Sequence, residues 1–101
     1  MNFWMRVLTI KENVVARQIA GEELLIPIQG RLADMQRIFA LDPVAAHIWK
    51  KLDGSADMEA VLISVLGSFD VSEERARGDI QSFVNQLESA GLVSDLPGRG
   101  Q

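Results

Sequence analysis

The chain has 101 residues, of which 48% are hydrophobic, so its length and composition fit one small domain with a modest core. It contains no cysteine, which excludes disulfides and thiolate-bound metals, and a single histidine, His47, leaves little for a protein-only metal site. No apolar run reaches the length of about 18 residues that a transmembrane helix needs, and the N-terminus lacks a secretory pattern. We therefore expect a cytoplasmic protein with no membrane segment, metal or cofactor.

The net charge of −4 is divided unevenly along the chain. Residues 1–52 carry a net charge of +2, whereas residues 53–101 carry −6. Nucleic-acid binding requires clustered Lys and Arg side chains that neutralise phosphates. The acidic second half therefore argues against a nucleic-acid partner, and a solvated acidic surface is its simplest explanation.

The first thirteen residues form an arm without a clear secondary-structure pattern. Three consecutive large apolar side chains, Phe3, Trp4 and Met5, are more apolar surface than a free end normally exposes. We expect this arm to pack on the protein's own core, with a neighbouring subunit as the second choice.

Two strands are predicted next, over residues 14–20 and 24–28, with a turn at residues 21–23. Pro27 cannot donate a hydrogen bond to a sheet, so it should lie at a strand end, at a bulge, or with its missing N–H facing away from any neighbouring strand. Residues 29–36 read as a connector.

The third strand and the first helix meet at one sharp boundary. Residues 37–41 form a short β-favouring run, and Asp42 can cap the helix that follows, while Pro43 fits its first turn. Apolar residues then recur at helical spacing as far as residue 52, and Gly54 supplies a stop. If the strand lies at a sheet edge, its unpaired backbone groups can accept another chain.

A short loop and two amphipathic helices complete the pattern. The helices are predicted over residues 57–68 and 72–90, with Gly91 ending the second. Strands precede helices, so the fold class is α+β: an N-terminal three-stranded antiparallel sheet followed by three helices. We expect residues 1–95 to form a single domain and residues 96–101 a flexible tail.

The predicted core combines apolar positions from every element. Its members are Val15, Ile26, Phe39, Ile48, Trp49, Leu52, Leu62, Leu66, Ile80, Phe83 and Leu87.

No catalytic arrangement can be assembled from the sequence. There is no cysteine or tyrosine, no glycine-rich phosphate loop follows a strand, and His47 reads most simply as a surface or half-buried histidine. Arg75 and Arg77 are most simply paired with acids of their own helix. These observations predict a protein that is not an enzyme.

Three blocks of sequence resemble one known family. They are LDPVAAHIWKKLDG at residues 41–54, FDVSEERA at residues 69–76 and DIQSFVNQLESAGLV at residues 79–93. They are similar to PqqD-like proteins, the pyrroloquinoline-quinone biosynthesis protein D family, whose members are also called RiPP recognition elements. The resemblance covers roughly residues 14–93, and the stretch from residue 38 to residue 54 is its most specific part.

The resemblance implies a winged-helix-like module that binds peptides. Members of this family hold the leader segment of a ribosomally made precursor peptide and present it to a modifying enzyme, often a radical S-adenosylmethionine enzyme. The leader is held as an added strand on the third strand, against the third helix. Carried onto this chain, the implied peptide-binding residues are Arg37, Ile38, Phe39, Ala40, Leu41, Arg75, Asp79, Ser82, Phe83 and Gln86.

Two other interpretations remain open from the sequence. A winged-helix DNA-binding regulator has a similar order of elements, but the third predicted helix carries only two arginines against four acids. A small oligomerising structural protein could use the Phe3–Met5 arm. The same arm and an uncovered strand edge also predict a homodimer in the free state.

Overall fold

The computed structural model describes residues 2–12, 14–27 and 38–96. Within these residues, six strands and three α-helices follow a short 3-10 turn over Phe3–Met5. In chain order they are β1 (Val7–Ile10), β2 (Val14–Ile19), β3 (Glu22–Pro27), β4 (Phe39–Leu41), α1 (Pro43–Lys50), β5 (Asp53–Asp57), α2 (Met58–Ser68), α3 (Glu73–Ser89) and β6 (Val93–Asp95). The strands form two three-stranded antiparallel sheets, which confirms the predicted α+β class with three helices.

The sheet in the order β2-β3-β4 is the one that the sequence predicts. β2 and β3 are joined by a two-residue turn at Ala20 and Gly21, whose φ angles are 54° and 83°. Two successive positive φ angles match the turn that best joins twisted antiparallel strands. Pro27 ends β3, as expected. The third strand begins at Phe39, two residues later than predicted, and the predicted connector at residues 29–36 lies outside the described residues.

The second sheet, in the order β5-β1-β6, was not predicted. β1 comes from the N-terminal arm, and β5 from residues expected to form a loop. Gly54 does not stop α1, which ends at Lys50, but lies within β5 with a φ angle of 83°. A Cβ atom there would lie 2.9 Å from Cγ2 of Thr9 on β1, so this close approach requires glycine.

Each α-helix begins at a capping side chain, and the one at α1, Asp42, was predicted. Asp57 accepts a 2.9 Å hydrogen bond from the N–H of Ala60 at the start of α2, and Ser72 accepts a 3.1 Å bond from the N–H of Arg75 at the start of α3. These caps satisfy backbone donors that have no partner within a helix. No helix in the described part of the chain has both the length and the hydropathy required to span a bilayer.

The core lies between the helices and the inner faces of both sheets. Most of its predicted members are buried, but Val15 and Ile26 are wrong: they are partly exposed, and their neighbours Val14 and Leu25 are buried instead. Successive side chains of a strand point to opposite faces, so an error of one residue exchanges the faces. The predicted residues that are buried are Ile48, Trp49, Leu52, Leu62, Ile80, Phe83 and Leu87, while Phe39 and Leu66 are partly buried against the core.

The N-terminal arm packs on the protein's own core, as expected. The rings of Phe3 and Trp4 meet edge to face with their centroids 4.8 Å apart, and both are partly buried. The guanidinium of Arg77 on α3 lies 4.7 Å from the centre of the Trp4 ring. Met5 remains 61% exposed.

Candidate functional site

β4 has one free edge in the described structure. It pairs with β3 through Glu23↔Leu41, Leu24↔Ala40 and Leu25↔Phe39, and no described strand lies on its other side. An edge strand presents unpaired N–H and C=O groups at regular spacing, which is a template for adding another strand.

The free edge borders a hollow that we call the β4–α3 cleft. Its volume is about 270 Å³. β4 forms one wall, α3 forms the other, and the first turns of α1 contribute the floor. The lining residues are Phe39, Ala40, Leu41, Asp42, Val44, Ala45, Ile48, Arg75, Asp79, Ser82, Phe83 and Gln86.

Eight of the ten residues implied by the family resemblance line this cleft. Ile38 precedes β4, is 43% exposed and is absent from the lining. Arg37 lies outside the described residues. The structure thus brings together residues of β4 and α3 that are more than thirty positions apart in the chain.

Four lining residues on α1 and its cap were missed from the sequence. They are Asp42, Val44, Ala45 and Ile48. Ile48 follows Ala45 by three residues and Val44 by four, so the three side chains lie on one side of α1. That pattern could have revealed a second apolar face, distinct from the one that carries Trp49 into the core. This second face was not predicted, because every apolar position of the helix was assigned to the core.

α3 presents different residues to the core and to the cleft. Its buried stripe consists of Ala76, Ile80, Phe83, Val84 and Leu87. The cleft-facing positions 75, 79, 82 and 86 follow at intervals of three and four residues, so they form an adjacent polar stripe on the same helix. Phe83 belongs to both surfaces.

The charged side chains that line the cleft form only a weak ion pair with each other. Nε of Arg75 lies 3.5 Å from Oδ2 of Asp79, and the two side chains are 75% and 46% exposed. Exposed ion pairs of this kind contribute only about 0–1 kcal/mol, so a ligand can replace either partner at little cost. Asp42 uses Oδ1 to accept the N–H of Ala45 at 2.8 Å.

The neighbouring Arg77 does not line the cleft, and its guanidinium is paired with two acids on α2 and α3. It lies 2.8 Å from Glu73 and 3.4 Å from Glu59, besides covering the Trp4 ring. Its hydrogen bond to Glu73 is the main cause that raises the pKa of the guanidinium. Arg77 therefore fastens the N-terminal arm to α2 and α3, and Arg75 is the arginine that faces the cleft.

The cleft continues along α3 beyond α1. An adjoining hollow of about 570 Å³, the cleft extension, shares Phe39, Ser82 and Gln86 with the cleft and adds Asn85 and Ser89. Its lining includes no charged side chain and no residue of α1. The whole groove therefore runs from the α1 end, beside Arg75, to an open end beside Ser89.

A second hollow, with a volume of about 690 Å³, shares Ala40, Leu41 and Asp42 with the cleft and extends along the His47 side of α1. His47 lines it, and its Nε2 lies 2.8 Å from Oγ of Ser64 while its ring meets Phe69 edge to face at 5.4 Å. Burial, followed by repulsion from Lys51 and Lys50, lowers the pKa of His47. These contacts make His47 a link between α1 and α2, and the ring is half-buried, which is one of the two placements that the sequence indicated. Across the described residues, no group of three potential ligands could hold a metal ion.

In the part of the chain that the structure describes, two small antiparallel sheets, three helices and a free β4 edge facing α3 define a winged-helix-like α+β protein. The family model for coenzyme PQQ synthesis protein D (PqqD) matches residues 25–93, which is more than half of the chain. The chain therefore belongs to the PqqD family. No curated protein matched it in sequence.

Two solved structures share the fold. One is TbiB1 in complex with the TbiA(beta) leader peptide, which is 22% identical with a TM-score of 0.67 and covers 92% of this chain and 99% of that one. The other is lasso peptide synthetase B1 complexed with the leader peptide, which is 18% identical with a TM-score of 0.71 and covers 87% and 98% of the two chains.

Proposed function

We propose that this protein binds the leader segment of a ribosomally synthesised precursor peptide as an added strand on β4. The observation that carries the proposal is the free edge of β4, which forms one wall of a groove closed by α3. Strand addition uses backbone hydrogen bonds for affinity and side-chain pockets for specificity. Membership of the PqqD family and the leader peptides bound to the two proteins of similar fold support this assignment.

The energetics require side-chain contacts as well as backbone pairing. Each backbone hydrogen bond contributes only about 0.5–1.5 kcal/mol net, and β4 has three residues. A micromolar complex requires about 8 kcal/mol. Apolar side chains of the leader must therefore reach the floor formed by Val44, Ala45 and Ile48. The proposed binding residues are those of the groove, together with Ile38 and Arg37, which precede β4 in the sequence.

The proposed role is that of a non-catalytic partner. The protein holds the leader while a separate peptide-modifying enzyme, such as a radical S-adenosylmethionine enzyme, acts on the rest of the precursor. We also propose that residues 1–95 act as one binding domain, to which residues 96–101 are an appendage.

No observation favours the alternative of a DNA-binding regulator. α3 carries four acids against two arginines, and Arg77 is held by Glu73 and Glu59. A recognition helix instead needs cations free to contact phosphates and bases.

Blocking the groove tests the proposal. Ser82 is exposed on the α3 wall, so Ser82→Trp should fill the groove while leaving the core intact. Gln81→Trp is the matched control, because Gln81 is the adjacent exposed residue and lies outside the lining. With a fluorescent leader peptide encoded beside this gene, Ser82→Trp should weaken binding about tenfold or more, a loss of at least about 1.4 kcal/mol. Equal affinity for the two variants would contradict a site in this groove.

A further inference from the structure

We infer that the groove selects three alternate side chains of the bound peptide, in the order basic, apolar and uncharged polar from the N-terminal to the C-terminal end. This inference rests on the proposed strand addition and specifies what the peptide must carry. Its basis is the change in character of the lining residues along α3.

The groove has room for three inward-facing side chains. Alternate residues of a strand point to the same face and are about 6.6 Å apart. Between residues 75 and 89, α3 rises about 21 Å. On β4 itself, Leu41 is buried and Phe39 partly buried, whereas Ala40 is exposed. A strand added beside β4 therefore turns every second side chain towards the helices.

The first position lies at the α1 end and carries an excess of carboxylate. Asp79 and Asp42 line it together with the single cation Arg75. Among the described residues, the carboxylate of Asp79 has one ion-pair partner, Arg75, at 3.5 Å. In Asp42, Oδ1 accepts the N–H of Ala45, whereas Oδ2 has no donor among the described residues. A Lys or Arg side chain of the peptide can therefore pair with Asp79 or Asp42. The net charge of −4 favours approach of a basic peptide.

The middle position is apolar. Val44, Ala45 and Ile48 of α1 face Phe83 of α3 across it, and Ile48 and Phe83 are both buried. A charged side chain here would lose its hydration without finding a partner. Leucine, isoleucine or valine would instead remove apolar surface from water.

The third position lies in the cleft extension and is polar without charge. Ser82, Asn85, Gln86 and Ser89 surround it, and all four are exposed. Amides and hydroxyls both donate and accept hydrogen bonds, so they suit Asn, Gln, Ser or Thr.

The direction of the peptide follows from the sheet. β2, β3 and β4 all pair antiparallel, and antiparallel pairing is slightly more stable per residue than parallel pairing. A peptide antiparallel to β4 has its N-terminal end beside Leu41, which is the α1 end. The basic side chain therefore comes first in the peptide.

Selection from a random library tests the order directly. Displayed 12-residue peptides are selected on the full-length protein, and those that also bind the Ser82→Trp variant are set aside. The inference predicts the pattern Lys/Arg–x–Leu/Ile/Val–x–Asn/Gln/Ser/Thr among the remaining peptides. Groove-dependent peptides with another pattern, or with the reverse order, would overturn it while leaving strand addition standing. Absence of any groove-dependent peptide would count against both.

Two variants isolate the first position. Replacing the basic residue of a selected peptide by glutamine should weaken binding about two- to fivefold at 0.1 M salt, as for an exposed ion pair. In Asp79→Asn the same replacement should have a clearly smaller effect, because Arg75 then offsets the remaining carboxylate of Asp42, and an undiminished effect would overturn the assignment. Glu74→Gln removes the same charge from an exposed α3 position outside the groove and should keep the preference. Loss of the preference in both variants would show that net charge, rather than this position, produces it, and would overturn the assignment.

Discussion

The carboxylate of Asp42 accepts a 2.8 Å hydrogen bond from the backbone N–H of Ala45, at the point where β4 passes into α1. The bond closes the first turn of α1, whose next residues form the floor of the β4–α3 cleft. One side chain therefore both caps the helix and helps to fix its position beside the strand edge.

Removing this cap should lower stability. Asp42→Ala is expected to reduce the free energy of unfolding by about 1 kcal/mol, within the usual range of about 0.5–2 kcal/mol for a lost cap, as measured by urea denaturation. Asp42→Asn retains an acceptor and serves as the control. Equal stability of wild type and Asp42→Ala would show that the cap is dispensable.

Trp49 anchors α1 in the core, where it is 6% exposed. Trp49→Ala should cost about 3–5 kcal/mol, because truncating a buried aromatic loses transfer free energy and leaves a cavity. Thermal melting checks the prediction, with Trp4→Ala on the partly buried arm as the comparison. An unchanged melting temperature in Trp49→Ala would be inconsistent with its burial.

His47 should make stability depend on pH. Its pKa in the folded protein is lowered from the ordinary value of 6.5, chiefly by burial, so the fold favours the neutral ring. As the pH falls through 6.5, the unfolded chain binds a proton before the folded chain does. The contribution of the neutral His47 ring to the free energy of unfolding is therefore complete above this pH. It is lost as the pH falls through the pKa of His47 in the folded protein.

Urea denaturation at pH 7.5 and at pH 5.5 measures this loss. His47→Gln removes the titrating group and should reduce the difference between the two stabilities. An identical pH dependence in the variant would assign the effect to other groups.

The free protein should self-associate through the edge of β4. The N-terminal arm packs on its own core, so the uncovered edge is the remaining reason to expect a homodimer. Light scattering should then show a dimer that dissociates when leader peptide is added, because both use the same edge. A monomer mass at high concentration, or a dimer unaffected by peptide, would contradict this prediction.

Local signals predicted the helices and one sheet. Asp42, Asp57 and Ser72 each mark a helix start. The helical spacing of apolar residues predicts which side chains of α3 are buried. The second sheet depends on pairing between distant segments, since β1 meets β6 more than eighty residues later. Gly54 and its polar neighbours in β5 have low strand propensity, so only the partner strand makes them a strand.

The orientation of the first hairpin was ambiguous for a different reason. Val14 and Val15 are both apolar, as are Leu25 and Ile26, so alternation alone does not select the core face. The groove was anticipated on β4 and α3 by family resemblance, whereas its α1 floor was missed because Ile48 reads equally well as core. The structure shows that Ile48 belongs both to the buried core and to the floor of the cleft.

The most direct test of strand addition is an NMR measurement on the complex of the isotope-labelled protein with an unlabelled leader peptide. The account predicts backbone NOEs between the peptide and Phe39–Leu41, slowed hydrogen exchange of the outward-facing β4 amide protons, and shift changes along the groove face of α3. Ile38→Pro should weaken the complex while leaving the helix signals unchanged. Peptide contacts confined to α2 or to the hollow beside His47, with β4 exchange unaltered, would contradict the central claim.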